Sequence, residues 1–374
     1  MELMIEDLME QMIEMGGSDM HIQAGAPVYF RVSGKLQPID EEALNPQACQ
    51  RLIFSMLNNS QRKELEQNWE LDCSYGVKGL ARFRVNVYKE RGCYAACLRA
   101  LSSKIPNFDK LGLPDVVRSM SERPRGMVLV TGPTGSGKTT TLAAMIDLIN
   151  RTRAEHILTV EDPIEYVFPN VKSLIHQRQK GEDTKSFANA LKGALREDPD
   201  VILVGEMRDM ETIGLAISAA ETGHLVFGTL HTNSAAQTVD RIIDVFPSGQ
   251  QAQIRAQLSN SLIAVFSQCL VPKKNPKPGE FGRTMAQEIM VVTPAISNLI
   301  REGKTSQVYS AIQTGMKLGM QTLEQALAYQ VKSGLISLEA GLSKSSKPDE
   351  LQRILAGSAG MNSKGGRAKA TRYS

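Results

Sequence analysis

The chain has few cysteines, the residues whose disulfides stabilise small secreted proteins, and its charge is almost balanced. Its 374 residues include five cysteines, an odd number at scattered positions, which argues against a disulfide framework and fits a reducing compartment. The 43 basic and 40 acidic residues leave a formal charge of +3 and form no basic–aromatic stripe. Both features lower the prospect of a nucleic-acid motor, so we expect no nucleic acid among the partners.

Long hydrophobic runs and targeting segments are also lacking. No stretch approaches the roughly 18 apolar residues that a membrane span needs. The acidic, Met-rich segment 1–15 has no basic start and no signal-like apolar core. Cys93 and Cys97 are four positions apart, but no second pair completes a zinc site. We expect a cytoplasmic protein without zinc, whose membrane contacts go through a partner.

The length of the chain suffices for two domains, and the pattern of the sequence changes along it. The first region mixes helical stretches, among them 46–66, with alternating strands, which predicts a small α+β domain. From 126 onward, short apolar strands alternate with helices, which predicts an α/β domain with a parallel sheet covered on both faces. The predicted strands are 127–131, 156–161, 201–205 and 225–230. The predicted divisions are 1–115 for the first domain, 116–125 for a linker, 126–356 for the second domain, and 357–374 for a disordered basic tail.

One segment of the second domain fits the phosphate-binding pattern G-x-x-x-x-G-K-[ST]. It follows an apolar strand and precedes a helical pattern, which is the context that this motif requires. Glycines let backbone N–H groups point at a phosphate, and the helix N-terminus adds positive charge. The motif and the residue after it comprise Gly132, Pro133, Thr134, Gly135, Ser136, Gly137, Lys138, Thr139 and Thr140. We therefore predict binding of a nucleoside triphosphate, with Lys138 on the β/γ-phosphates and the Thr139 hydroxyl on Mg²⁺.

Two further strands of this domain end in acids. Glu206 follows the strand 201–205 and is the natural candidate to hold Mg²⁺ through its water shell, because Asp198 and Asp200 precede that strand. The strand 156–161 ends in a cluster of three acids, Glu161, Asp162 and Glu165. One of them could orient or deprotonate the attacking water, and a nearby cation, Mg²⁺ or arginine, is expected to offset their repulsion. The residues alone do not choose between Glu161 and Glu165.

Histidines and arginines complete the set of candidate residues. His224 and His231 lie at the two ends of one apolar strand, too far apart to share a metal. His231 at the carboxyl end could sense the γ-phosphate, whereas His224 could orient a neighbouring group or contact another subunit. In the first region, Arg82 and Arg84 alternate onto one face of a strand, with Arg99 nearby. Arginines on a separate domain suggest charge stabilisation of the phosphates in trans.

Four motifs in this order resemble those of the secretion ATPases. They are the phosphate loop at 132–140, an acidic box at 159–166, a Walker B region at 203–209 and a histidine box at 222–232. The resemblance covers roughly residues 1–345 and is closest to the type IV pilus retraction ATPases. The first region starts almost at residue 1, and the tetracysteine zinc element usual in the extension branch is absent, which favours the retraction branch. The stretch 295–302 resembles a motif of retraction ATPases, although Ser297 stands where that family normally has arginine.

The resemblance implies a RecA-like P-loop ATPase core preceded by a PAS-like α+β domain. Such proteins form hexameric rings, a homohexamer here, and hold ATP and Mg²⁺ between the two domains of a subunit and near a neighbour. By position, Lys138 and Thr139 become the phosphate and Mg²⁺ contacts. Glu165 becomes the catalytic base, and Glu206 the Walker B acid. His224 and His231 become residues of the histidine box. Arg82, Arg84 and Arg99 become candidates for contact with the phosphates.

The function implied is an ATP-hydrolysing motor that powers type IV pilus retraction and twitching motility. Its partners would be the pilus machinery and an inner-membrane platform protein. Through this machinery the cytoplasmic motor would associate peripherally with the inner membrane. Two alternatives stay open. One is a pilus-extension or type II secretion ATPase, and the other is a nucleotide-binding regulatory protein with low turnover.

Overall fold

The computed structural model describes residues 3–32, 34–39, 42–101, 105–276 and 281–362, with side chains described up to Gly357. The chain divides into two compact units. The first comprises Met1–Ile105 and Pro163–Val167, and the second comprises Pro106–Asp162 and Phe168–Ser374. None of the helices formed by the described residues has the length and apolar character needed to cross a membrane.

The first unit contains one antiparallel sheet with the strand order β3-β2-β1-β6-β5-β4. Its helices are α1 (Ile5–Glu14), α2 (Pro46–Ser55) and α3 (Asn59–Asn68). Its strands are β1 (Gly17–Ile22), β2 (Tyr29–Val32), β3 (Lys35–Pro38), β4 (Glu70–Val77), β5 (Ala81–Glu90) and β6 (Cys93–Leu101). Helices and antiparallel strands together make this unit α+β.

Hydrophobic periodicity explains these elements, with one exception. Along β5, Phe83, Val85 and Val87 are fully buried, so the opposite face of the strand carries the arginines. The single helix predicted over 46–66 is instead two helices. The break occurs because the Asn58 side chain accepts a hydrogen bond from the Gln61 N–H, and the Gln61 side chain accepts one from the Asn58 N–H, which starts α3 anew.

The second unit contains a seven-stranded sheet flanked by helices. Its strands are β7 (Gly126–Thr131), β8 (His156–Glu161), β9 (Leu174–Gln179), β10 (Val201–Val204), β11 (Leu225–Leu230), β12 (Leu262–Pro272) and β13 (Arg283–Val291). Its helices are α4 (Asp115–Ser121), α5 (Lys138–Thr152), α6 (Phe187–Ala194), α7 (Met210–Glu221), α8 (Ala235–Asp244), α9 (Ser248–Ser261), α10 (Pro294–Arg301), α11 (Val308–Thr314), α12 (Leu323–Lys332), α13 (Leu338–Lys344) and α14 (Pro348–Asn362). Short 3-10 turns lie at Asp109–Leu111, Thr305–Gln307 and Met316–Leu318.

The strand order of this sheet is β13-β12-β7-β11-β10-β8-β9. All neighbouring strands are parallel except β13, which returns antiparallel to β12, so the sheet is mixed rather than wholly parallel. Every residue of β7, β10 and β11 is buried. Strands buried on both faces confirm the α/β architecture. Since their carboxyl ends meet at one edge, the loops after these strands lie side by side there.

The structure differs from two of the predicted divisions. The stretch predicted as a linker, 116–125, contains most of α4, whose Val117 and Met120 are buried in the second unit. Apolar residues three apart make this segment a packed helix rather than a free connection. The predicted tail began at 357, but α14 continues to Asn362. The rest of the predicted tail, 363–374, lies outside the described residues.

Candidate functional site

The phosphate loop, 132–137, connects β7 to α5 through a backbone that requires glycine. Gly132, Gly135 and Gly137 have φ values of +140°, +76° and +87°, a region that residues with a Cβ rarely adopt. A Cβ on Gly132 would lie 2.2 Å from the Gln268 carbonyl oxygen of β12. The first glycine of the motif is therefore needed for its conformation and also because a neighbouring strand passes close to it.

We expect Gly132→Ala to disrupt this loop. The added methyl would meet the Gln268 carbonyl on a backbone with positive φ, so the strain should cost more than about 1 kcal/mol and lower the melting temperature by several degrees. Gly249→Ala is the matched control, because that glycine lies in the first turn of α9 with open space around it. Thermal unfolding monitored by circular dichroism would measure both. A Gly132→Ala protein as stable as Gly249→Ala would contradict the expectation.

The polar side chains of the phosphate-loop motif lie next to the start of α5. The Lys138 ammonium donates to the carbonyls of Gly132 and Pro133, at 2.9 and 3.1 Å. The buried Ser136 hydroxyl has no hydrogen-bond partner among the described residues. Thr139 follows in the first turn of α5. A helix N-terminus with a lysine and an unsatisfied hydroxyl is suited to binding an anion.

Two predicted site residues meet at the carboxyl edge of the sheet. Glu206 follows β10, and His231 follows the adjacent parallel strand β11. The His231 Nε2 lies 2.8 Å from the Glu206 Oε1, and the Arg208 Nε lies 2.5 Å from the same oxygen. The Glu206 side chain is only 21% exposed. The Glu206 carboxylate thus lies against a histidine and a guanidinium at the edge where the phosphate loop also begins.

Backbone contacts fix the loops that carry these two residues. The Met207 N–H donates to the Thr229 carbonyl at 3.0 Å, and the Thr229 hydroxyl donates to the Gly205 carbonyl at 2.5 Å. The Asp209 side chain accepts a hydrogen bond from the Thr212 N–H and caps α7. Glu206 is therefore held between β11 on one side and a capped helix on the other, which limits the conformations that its carboxylate can adopt.

The three acids at and after the end of β8 have different surroundings. Glu161 is buried and accepts hydrogen bonds from the Thr159 hydroxyl at 2.7 Å and the Gln177 amide at 3.2 Å. Asp162 is exposed and pairs with the Lys180 ammonium at 2.8 Å. Glu165 is half-buried in the segment Pro163–Val167, which groups with the first unit. Neither Gln177 nor Lys180 was predicted, because Gln177 lies in β9 and Lys180 follows it, and the sequence pattern did not indicate that strand.

His224 lies at the other end of β11. Its Nδ1 is 2.8 Å from the Ala219 carbonyl and 3.3 Å from the Thr222 hydroxyl. Seven residues of extended chain separate it from His231, roughly 23 Å. Within one chain, the structure therefore does not bring His224 to the carboxyl edge. Its predicted contact with another subunit stays a prediction.

The predicted arginines all lie in the first unit, in neighbouring strands. Arg84 on β5 and Arg99 on β6 are direct partners in the register, and Asp19 on β1 is the next partner in the same row. The Arg99 Nε contacts the Asp19 carboxylate at 2.7 Å, and this hydrogen bond raises the pKa of Arg99. Arg82 donates to the Ser74 hydroxyl at 2.6 Å. Arg82 and Arg99 are therefore already held in place by partners within their own unit.

The oxygen ligands of the second unit suit Mg²⁺. The Thr139 hydroxyl and the Glu206 carboxylate are hard oxygen donors, which this cation prefers. Among the residues that the structure describes, no group of three or more His, Cys, Asp or Glu side chains could hold a metal ion. A Mg²⁺ bound here would take its remaining ligands from phosphate and water, as it usually does beside nucleotides.

A buried acid that the sequence did not single out anchors the segment after His231. Glu288 of β13 is 4% exposed, and its Oε1 accepts a hydrogen bond of 2.7 Å from the N–H of Ala235, the first residue of α8. Burial raises the pKa of Glu288 to about 7, with a further increase from Glu324 and opposing effects of the Ala235 N–H and Lys347.

We expect Glu288 to make the second unit less stable as the pH rises. The folded state keeps the proton up to a pKa of about 7, whereas an unperturbed glutamate loses it near 4.5. Between these values the folded state binds more protons, so stability falls with rising pH. Denaturant unfolding at about pH 5 and about pH 8 gives the difference in the free energy of unfolding between the two conditions. Glu288→Gln should reduce this difference by roughly 3 kcal/mol. Glu339→Gln, at an exposed position, should keep the wild-type pH dependence of stability. A wild-type pH dependence in Glu288→Gln would contradict the raised pKa of Glu288.

Comparison with known proteins places the chain in a family. Residues 1–342 match the family described as "Type II/IV secretion system protein", and the chain belongs to that family. It is 51% identical to the type IV pilus retraction ATPase PilT of Pseudomonas aeruginosa, over 92% of this chain and 99% of that protein. It is 52% identical to a twitching motility protein of Neisseria gonorrhoeae, over 83% of this chain and 82% of that protein.

A solved structure supports the fold as well. The crystal structure of the pilus retraction motor PilT with bound ADP superimposes with a TM-score of 0.87 at 52% sequence identity. The superposition covers 94% of this chain and 100% of that one. The resemblance to the secretion ATPases and to their retraction branch is thereby confirmed, and the α/β fold agrees with that of the family.

Proposed function

We propose that this chain is a hexameric, ATP-hydrolysing motor that powers type IV pilus retraction and, through it, twitching motility. The observation that carries the proposal is the contact between His231 and Glu206 at the carboxyl edge where the phosphate loop starts. It brings two separately predicted motifs, the Walker B region and the histidine box, into contact at that edge. The relatives named for pilus retraction and twitching motility support the cellular role.

The phosphate loop binds the triphosphate. Its N–H groups and the N-terminus of α5 face the phosphates, and the Lys138 ammonium exchanges the Gly132 and Pro133 carbonyls for phosphate oxygens. The Thr139 hydroxyl and the Glu206 carboxylate hold Mg²⁺. When bound, this ion neutralises charge that develops on the phosphates. Binding of ADP by the related PilT motor supports a nucleotide at this loop.

The remaining candidate residues are proposed to act in hydrolysis. Glu165 orients and deprotonates the attacking water, a role that rests on its position in the acidic box. His231 senses the γ-phosphate, and its contact with Glu206 couples that sensing to the carboxylate that holds the metal. Arg82, Arg84 and Arg99 contribute positive charge to the phosphates, and His224 serves an intersubunit contact.

The finer description of the fold is a RecA-like core and a PAS-like first domain. A mostly parallel sheet with the phosphate loop after the interior strand β7, which lies between β12 and β11, supports the RecA-like description. The antiparallel six-stranded sheet with α1, α2 and α3 supports the PAS-like α+β description of the first domain. The division between the two units lies at Ile105 and Pro106, with Pro163–Val167 belonging to the first unit, and we propose these bounds in place of 1–115 and 126–356.

The working assembly is a ring of six identical chains. We infer that it acts in the cytoplasm at the inner membrane, docked on the platform protein of the pilus machinery. Neither nucleic acid nor zinc takes part. The near-neutral charge and the scattered cysteines support this inference.

Deleting the gene and counting pili tests the cellular role. Loss of a retraction motor leaves cells with many pili and without twitching motility, whereas loss of an extension or secretion ATPase leaves bald cells. A steady-state ATPase assay of the purified protein separates a motor from a regulatory protein with low turnover. Normal retraction in the deletion strain would contradict the proposal.

A further inference from the structure

The hairpin of β12 and β13 carries polar residues in the middle of a buried region. Ser267, Gln268, Gln287 and Glu288 are all between 2% and 4% exposed. They are register partners, with Ser267 opposite Glu288 and Gln268 opposite Gln287. Buried polar side chains destabilise a core unless hydrogen bonds compensate them. The hydrogen bonds of these four side chains therefore show why polar residues are present in this buried region.

The Gln268 amide contacts the phosphate loop and the helix that follows it. Its Nε2 donates to the Ser136 carbonyl at 2.9 Å. Its Oε1 accepts hydrogen bonds from the Thr141 hydroxyl at 3.0 Å and from the Gln287 amide at 3.1 Å. The first contact fixes which end of the amide is the donor, because the Ser136 carbonyl can only accept a hydrogen bond. Thr141 and Gln287 thus support the Gln268 amide from its acceptor side, and Gln268 holds the loop.

The backbone of Gln268 also lies against the start of the loop. Its carbonyl oxygen would be 2.2 Å from a Cβ on Gly132. Its Nε2 would be 3.4 Å from a Cβ on Gly137. One residue of β12 therefore meets the first glycine of the loop, the carbonyl of Ser136 and the first turn of α5.

A fixed carbonyl determines the direction of the next N–H. In a trans peptide the C=O and the following N–H point in opposite directions. Because Gln268 holds the Ser136 carbonyl toward β12, the Gly137 N–H is directed away from β12. The Gly137 N–H is one of the backbone donors that such loops offer to phosphate.

We propose that Gln268 is a positioning residue for nucleotide binding, which fixes the Ser136–Gly137 peptide so that its N–H faces the phosphates. The inference rests on the proposed function, since it requires a nucleotide at this loop. It does not require Gln268 to touch the nucleotide. Thr141 and Gln287 support it by donating hydrogen bonds to the acceptor end of its amide.

The test compares Gln268→Met with Gln330→Met, which each delete a buried amide that donates to a backbone carbonyl, at Ser136 and at Met285 respectively. Titration of the purified proteins with ADP and Mg²⁺ gives the dissociation constant, and thermal unfolding gives stability. We expect both variants to lose similar stability, and Gln268→Met alone to weaken ADP binding by about tenfold, the value of one hydrogen bond. Equal ADP affinity for the two variants, at any stability, would overturn the inference.

A milder variant covers the case in which Gln268→Met does not fold. Thr141→Val removes one hydroxyl that holds the Gln268 Oε1 and keeps the volume of the side chain. We expect a weaker ADP affinity with a raised KM for ATP and a nearly unchanged kcat, and wild-type affinity would contradict the proposal. If the wild-type protein itself bound no ADP, the proposed function would fail instead, so the two failures are distinguishable.

Discussion

Lys138→Ala should abolish ATP turnover. The Lys138 ammonium is the only lysine side chain in the phosphate-loop motif, where it donates to the carbonyls of Gly132 and Pro133. A positive charge at this position stabilises the phosphates as negative charge shifts during transfer. Its removal should lower kcat by at least about 100-fold. A coupled assay of phosphate release with the purified protein would measure the effect.

Lys172→Ala is the matched control for that measurement. Lys172 is an exposed lysine of the same unit, and the hydrogen bond that it donates to the Asn150 carbonyl comes from its backbone, which the substitution preserves. We expect turnover within about twofold of the wild type, since surface substitutions change stability little. Comparable turnover in Lys138→Ala and Lys172→Ala would show that the loop is not where ATP is hydrolysed.

Glu165→Gln should stop hydrolysis while nucleotide binding continues. A glutamine keeps the shape of the side chain but cannot accept the proton of the attacking water, so kcat should fall by roughly 100-fold or more. The dissociation constant for ADP should stay within about threefold, because the substitution leaves the phosphate loop unchanged. Single-turnover kinetics together with ADP titration would separate these two quantities.

Glu161→Gln resolves the choice that the residues left open. Glu161 is buried and accepts hydrogen bonds from Thr159 and Gln177, so its substitution should lower stability more than it lowers turnover. We expect the variant to keep at least a tenth of the wild-type kcat. If Glu161→Gln lost turnover and Glu165→Gln kept it, the base would be Glu161.

The parts of this fold that depend on local pattern could be predicted from the sequence. Apolar runs located the strands 127–131, 156–161 and 225–230 to within a residue, and fixed spacing located the phosphate loop. The positions of Glu206 and His231 at the ends of their strands could be predicted too, whereas their contact depends on β10 and β11 being neighbours in the sheet, which the local pattern does not indicate. The features that could be predicted depend only on neighbours along the chain and the direction of strands.

The parts that depend on distant contacts could not be predicted. Gln268 lies 132 positions after Ser136, whose carbonyl it holds, and nothing in its neighbourhood in the sequence marks it. The same holds for Glu288, which anchors Ala235 from 53 positions away. Arg208 is different, because it lies only two positions after Glu206 in the sequence Glu-Met-Arg. Its contact with Glu206 could therefore have been predicted from the sequence. The break at Asn58 could also have been found, since Asn followed by Gln three positions later is a helix-start signal.

Imaging of labelled pili in living cells that carry Lys138→Ala as the only copy would show whether ATP bound at the phosphate loop powers retraction. We expect pili to extend and then remain, so that the cells accumulate static pili and do not twitch. Cells that keep retracting pili at the wild-type rate would contradict the claim that ATP bound at this loop powers retraction. Bald cells would contradict it as well, since they would indicate an extension motor.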